Sequence, residues 1–207
     1  MKKNAKSKVM LCKKYVDMDV TAVKLKLHPK AKDLLFNHYA TLRRIFSDVV
    51  GQLETDYISL ALIDEKGQIF FFSSKPSIEQ NLIEKNLWQY DGNYQPEFIY
   101  QNKPKLWSEL NHRESSNLLK RYKEVDHNLI TGISIPHQYE DYRVIFTFGF
   151  KKINPLIQKK AQIYNEKLLA MGKFCLSSIQ AIVPFPEKQY IETRPKLKLI
   201  INNQVSL

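Results

Sequence analysis

The sequence predicts an α+β domain, an α-β-α sandwich in which an antiparallel sheet of about five strands is covered by helices on both faces. Three observations carry this. Two pairs of strand-like runs, Tyr57–Ile63 with Gln68–Ser73 and 129–136 with Tyr142–Phe150, are each joined by a short polar segment, the pattern of a hairpin. The first pair is apolar on successive residues rather than alternate ones, so both sheet faces are covered. Around the hairpins, apolar residues recur three and four apart, the period of a helix with one buried stripe.

Residues 1–28 alternate weakly, with Val20, Ala22, Leu25 and Leu27 among lysines, as a short strand or a loose arm, until His28-Pro29 interrupts them. Leu34, Leu35, Tyr39, Leu42, Ile45, Phe46 and Val49 then predict one helix of about 20 residues ending near Gly51. Asp64-Glu65-Lys66-Gly67 is the first hairpin turn, with Gly67 supplying positive φ. Ser74-Lys75-Pro76 opens the next helix with a capping-type residue and an early proline, and Ile78, Leu82, Ile83 and Leu87 carry it to about Trp88. Residues 90–110 are loop-rich, with one extended piece at Lys105-Leu106-Trp107. A helix at 115–125 precedes the second hairpin, which turns at Gln138-Tyr139-Glu140-Asp141. Asn154-Pro155 caps a long helix whose stripe runs from Ile157 through Leu168 and Cys175 to Ile182, and Pro184 and Pro186 end it. The run 197–201 is strand-like and has no obvious partner. The organisation is one domain at 29–184 between a basic N-terminal arm at 1–28 and a C-terminal tail at 185–207.

With 207 residues, 43% of them hydrophobic, the chain can bury one sizeable core. The net charge of +11 is concentrated at the ends: residues 1–30 hold nine lysines and two aspartates, whereas 31–184 hold 19 basic and 17 acidic residues. A nucleic-acid-binding domain gathers its lysines and arginines on one structured face, so this placement argues against one. The arm reads as a solvated tail, able at most to touch phosphate or an anionic membrane non-specifically. Cys12 and Cys175 are too few for a disulfide framework, which points to a reducing compartment. No apolar run approaches the ~20 residues of a membrane helix, and Lys13-Lys14 interrupts the only apolar stretch near the N-terminus that a signal peptide could use. The expected location is the cytoplasm.

Catalytic chemistry finds no handle. The five histidines form no metal-ligand spacing, the Gly-x-Ser-x-Gly nucleophile motif is absent, and Cys175 lies on a helical apolar stripe. The six glycines are scattered singly, so no phosphate loop occurs. The carboxylate pairs Asp64-Glu65 and Glu140-Asp141 both fall in turns, where charge is solvated. Neither a metal nor a cofactor is expected, and the chain does not read as an enzyme. Between Trp88 and Phe150, by contrast, isolated polar residues (Asp91, Ser134, Thr147) stand among aromatic and β-branched ones, the composition of a small-molecule pocket.

Two motifs in that stretch carry a resemblance. Lys103-Pro104-Lys105-Leu106-Trp107-Ser108-Glu109-Leu110 is similar to a Pro-x-x-Trp segment, and Leu129-Ile130-Thr131-Gly132-Ile133-Ser134-Ile135-Pro136 to a Gly-Leu-x-x-Gly-x-x-x-Pro strand opening. Both segments belong to the autoinducer-binding domain of LuxR-type quorum-sensing regulators, a PAS/GAF-like sandwich, and the element order resembles it across residues 30–182. The resemblance implies a pocket between the sheet and the helices on one face. There Trp107 would donate its indole N–H to a ligand carbonyl and Asp91 would accept an amide N–H, with Thr147 and Ser134 as further polar contacts. Asp91 reads first as a turn or helix cap and only second as a ligand contact, whereas Trp107 reads equally as plain core. Gly132 reads as a structural residue, a backbone requirement before the strand. Gly92 stands where the family has Pro, and Ile78 and Leu82 where it has aromatics, so the expected ligand is a small apolar molecule not restricted to acyl-homoserine lactones.

The roughly 20 residues after Pro186 contain no pair of helices to enter a major groove, so no specific DNA binding is expected. A truncated regulator, or a stand-alone sensor pairing with full-length relatives, fits that end. The long helix could form a homodimer or heterodimer surface or simply pack on its own sheet. The alternative is a protein- or membrane-interaction module on the same fold, with no ligand.

Overall fold

The two hairpins meet side by side, because β2 (Tyr57–Ile63) pairs antiparallel with β6 (Tyr142–Phe150), joining β2–β3 (Gln68–Ser73) to β5 (Thr131–Tyr139)–β6. This computed structural model describes residues 24–112, 114–153 and 161–183. Short strands β1 (Lys26–Leu27) and β4 (Lys105–Leu106) complete a six-stranded sheet in the order β1-β3-β2-β6-β5-β4. Only β1 is parallel to its neighbour. Thus Lys26 and Leu27, in the stretch read as arm or short strand, belong to the sheet. The strand-like run 197–201 and the cap at Asn154-Pro155 lie outside the described residues.

Alternation along each strand divides the apolar residues between two cores. Ile58, Leu60, Phe72, Phe146 and Phe148 face one side, where α1 (Ala31–Asn37), α2 (Tyr39–Ser47) and α6 (Ala161–Ile179) contribute Leu34, Phe46, Leu168 and Cys175. Tyr57, Ala61, Phe71 and Ile145 face the other. That side is covered by α3 (Pro76–Glu84), α4 (Pro96–Ile99), α5 (Ser116–Lys123) and the 3-10 turns between them. Burying two faces with helices is the arrangement the doubly apolar β2–β3 hairpin requires.

Four local expectations are revised. The single helix expected from residue 30 breaks at His38 (φ −113°, ψ 21°). α1 places Leu34 in one core and Leu35 in the other, whereas the buried residues of α2 serve only the first, so one continuous stripe does not satisfy both. Ser74 does not cap α3: its hydroxyl accepts from Ile58 N–H at 3.0 Å, fastening the hairpin end, and Lys75 takes the cap position without a side-chain bond. The helix expected to reach Trp88 ends at Glu84, and residues Leu87–Tyr90 continue as a 3-10 turn. The second hairpin turns on Glu140-Asp141 alone, with Glu140 at φ 49°, and β5 continues through Pro136 to Tyr139. Beyond its two residues β4 no longer flanks β5, leaving a local edge where a proline is tolerated. Pro76 at the start of α3 and Gly67 at φ 74° are as read from the sequence.

Candidate functional site

The register aligns four hydroxyls across the sheet face beneath α3–α5. Ser134 pairs with Thr147, Thr147 with Ser59, and Ser59 with Ser73, a row running β5-β6-β2-β3. All four are buried, and Ser134 Oγ lies 3.4 Å from Thr147 Oγ1. Such a row is unusual on a face otherwise made of Ala61, Ile63, Phe71 and Ile145, since buried hydroxyls need partners.

Glu79, on α3, faces the Ser59–Ser73 end of this row and is 1% exposed. The Tyr57 hydroxyl donates to its Oε1, whereas Oε2 has no hydrogen-bond partner. Burial pushes the Glu79 pKa up to about 7, against the lowering pull of Ser73, Tyr57 and Ser59. The Ser59 hydroxyl is near enough to exert that pull yet is not itself in hydrogen-bond geometry. Tyr57 and Tyr94 are both raised well above the ordinary phenol value, chiefly by burial and then by nearby carboxylates.

Asp91 is fully buried at the junction of two 3-10 turns and acts as a cap: Oδ1 accepts from Asn93 N–H at 3.0 Å. Its Oδ2 accepts from the Lys123 ammonium at 2.8 Å, a pair in which the lysine is 4% exposed. His112 Nδ1 lies 3.8 Å from Oδ1 but accepts from Gly92 N–H at 3.1 Å, so that nitrogen carries no proton and the contact is not an ion pair. Burial holds the His112 pKa below the usual imidazole value, with Asp91 raising it less and Lys123 lowering it.

Trp107 joins these two centres. It starts the turn after β4, and its ring meets Tyr57 edge-on at 6.2 Å between centroids, while Lys123 Nζ stands 4.8 Å from the ring centroid. The indole rests on the sheet backbone: a Cβ at Gly132 would lie 2.1 Å from Cε2, and one at Gly149 would lie 3.1 Å from Cη2. Gly132 is therefore structural for a different reason than expected. It lies within β5, without positive φ, and is required for close approach of the indole. The Trp107 Nε1–H is buried without a partner.

Trp107, Ser134 and Thr147 thus share one face, and Asp91 reaches Trp107 through Lys123. Glu79, Tyr57 and Lys123 were missed in the sequence. The available signal was phase: Glu79 precedes Leu82 and Ile83 by three and four residues, and Lys123 follows Leu119 by four, so both sit on apolar stripes. A groove of about 520 Å³ between Val49, Leu53, Met171 and Phe174 lies on the other side of the sheet and shares no residue with this polar set. A hollow of about 130 Å³ opens beside the Asp91 turn, between Gly92, Phe98, Lys105 and Leu110.

No protein-family model and no curated protein sequence matches the chain. Solved structures do. The crystal structure of Escherichia coli SdiA superposes with a TM-score of 0.58 at 15% identity, covering 79% of this chain and 73% of that one. The fold is that of a LuxR-type autoinducer-binding domain. SdiA in complex with octanoyl-rac-glycerol matches at a TM-score of 0.51 and 18% identity, covering 69% of this chain and 59% of that one. CepR2 of Burkholderia cenocepacia, an N-acylhomoserine-lactone-dependent LuxR-family transcription factor, gives 0.45 at 11% identity, covering 74% and 95%. Within this LuxR-type fold, the departures noted in the sequence acquire a physical form: Gly92 donates its N–H to His112, and Ile78 and Leu82 are fully packed apolar residues.

Proposed function

We propose that the chain is a small-molecule-sensing domain serving transcriptional regulation, which takes an apolar, autoinducer-like ligand between the sheet and the α3–α5 layer. One observation carries this reading: Trp107 Nε1, Glu79 Oε2 and Ser59 Oγ are buried on one apolar face without partners. Buried polar groups are ordinarily satisfied, and a ligand with a carbonyl and a donor supplies what these lack. That SdiA was solved with octanoyl-rac-glycerol supports the ligand class. In this reading Trp107, Ser134 and Thr147 contact the ligand, while Asp91 acts through Lys123, holding the ammonium beside the indole. The sensing unit begins at β1, ahead of residue 29. The reading includes a cytoplasmic location, no catalysis, and action through self-association or pairing with full-length LuxR-type relatives without operator binding. No helix among the described residues is long and apolar enough to cross a membrane.

The test is thermal unfolding against rising concentrations of octanoyl-glycerol and an acyl-homoserine lactone. A ligand that binds only the folded state stabilises it by about 2.7 kcal/mol at one hundred times its Kd, so the midpoint rises with concentration. A second reading, a packed interaction module, is favoured by the contacts Trp107 already makes with Gly132 and Lys123. Midpoints that stay fixed across both ligand series would select it.

A further inference from the structure

We propose that Glu79 is a specificity-determining ligand contact, whose free Oε2, flanked by Tyr57, Ser59 and Ser73, anchors a head group that offers hydroxyl donors. The inference rests on the sensing role proposed above and names the chemistry of its ligand.

The two buried carboxylates on this side of the sheet are in different states. Asp91 has both oxygens engaged, by Asn93 N–H and by Lys123. Glu79 has one engaged, by Tyr57, and among the described residues no cation pairs with it. A carboxylate buried to 1% exposure with an unpartnered oxygen is costly to keep, whereas leucine would fit the apolar stripe of Ile78, Leu82 and Ile83. Its position supplies the rest. Tyr57 touches Glu79 through its hydroxyl and the Trp107 ring in a T-shaped contact, so one side chain spaces an unpartnered acceptor from an unpartnered indole donor. Ser59, two residues along β2 on the same face, adds a hydroxyl that donates or accepts. The complement of that set is a carbonyl for Trp107 joined to hydroxyls for Glu79 and Ser59, as in a polyol ester of a short acyl chain. Glu79 discriminates against an otherwise identical ester that has no donor, because its oxygen then stays buried and unpaired.

Dissociation constants for octanoyl-glycerol, octanoyl-homoserine lactone and methyl octanoate, measured by titration calorimetry on the full chain at pH 8, where Glu79 is ionised and both its oxygens accept, test this. The wild type is expected to prefer octanoyl-glycerol to methyl octanoate at least tenfold. In Glu79→Leu that ratio should fall toward one, and in Glu79→Gln, which keeps a carbonyl acceptor, it should lie between. Should Glu79→Leu fail to fold because the Tyr57 hydroxyl is stranded, the double variant Tyr57→Phe/Glu79→Leu removes that hydroxyl as well. A wild type that binds the probes without preference, or a Glu79→Leu protein that keeps the preference, overturns the assignment while leaving the sensing role intact. No binding of any probe to the wild type overturns both.

Discussion

Replacing Glu79 by leucine should abolish a pH-dependent loss of stability whose size follows from its burial. The carboxyl is held at about 7 in the folded protein against 4.5 for the free side chain. Between those values the folded state holds a proton that the unfolded state has released, so stability is fullest below 4.5 and is lost as pH rises through 7. At about 1.4 kcal/mol per pKa unit the full loss is roughly 3 kcal/mol, most of which falls between pH 5 and pH 8. His112, His127 and His137, whose pKa values burial lowers, act oppositely: their stability is present above the free imidazole value and lost on acidification. Because both proteins share these histidines, the difference between them isolates Glu79. Urea unfolding at pH 5, 6, 7 and 8 should show the leucine variant gaining roughly 2–3 kcal/mol on the wild type across that range, over a constant offset of about 1 kcal/mol for the lost Tyr57 bond. Two stability curves that run parallel within about 0.5 kcal/mol would refute a buried carboxyl with a raised pKa.

Two further predictions concern the groups around Trp107. Lys123→Met strands the Asp91 carboxylate and should destabilise the protein by about 3–5 kcal/mol in urea unfolding, whereas the double variant Asp91→Asn/Lys123→Met should recover much of that loss. Gly132→Ala drives a methyl group into the indole and should cost about 1–3 kcal/mol, with a red-shifted tryptophan emission as the ring is displaced. Adding Trp107→Leu to Gly132→Ala should remove part of that cost, because the clashing ring is gone.

The fold was largely legible in the sequence because its strongest signals are local. The doubly apolar runs of β2 and β3 demand covered faces, and Gly67 and Pro76 mark a turn and a helix start whatever the rest of the chain does. The break at His38 was not legible, since its cause is tertiary: adjacent Leu34 and Leu35 serve different cores. The site was legible only in part. Trp107, Ser134 and Thr147 could be placed on one face by motif and alternation, but Glu79 and Lys123 read as ordinary charged helix positions. Their meaning depends on which stripe is buried and on partners 22 and 32 residues away in sequence, Tyr57 and Asp91. Gly132 shows the same limit. Its lack of a side chain was apparent, but the reason, an indole arriving from β4, was not.

The two tryptophans report directly on whether a ligand enters between the sheet and the α3–α5 layer. With only Trp88 and Trp107 in the chain, a ¹⁵N–¹H spectrum contains two indole resonances, assigned by Trp88→Phe and Trp107→Phe. Titration with octanoyl-glycerol should move the Trp107 Nε1–H resonance downfield and saturably as its unpaired donor gains an acceptor. If that resonance stays fixed, while saturating shifts appear only around the Val49–Phe174 groove, then the ligand does not sit between the sheet and the α3–α5 layer.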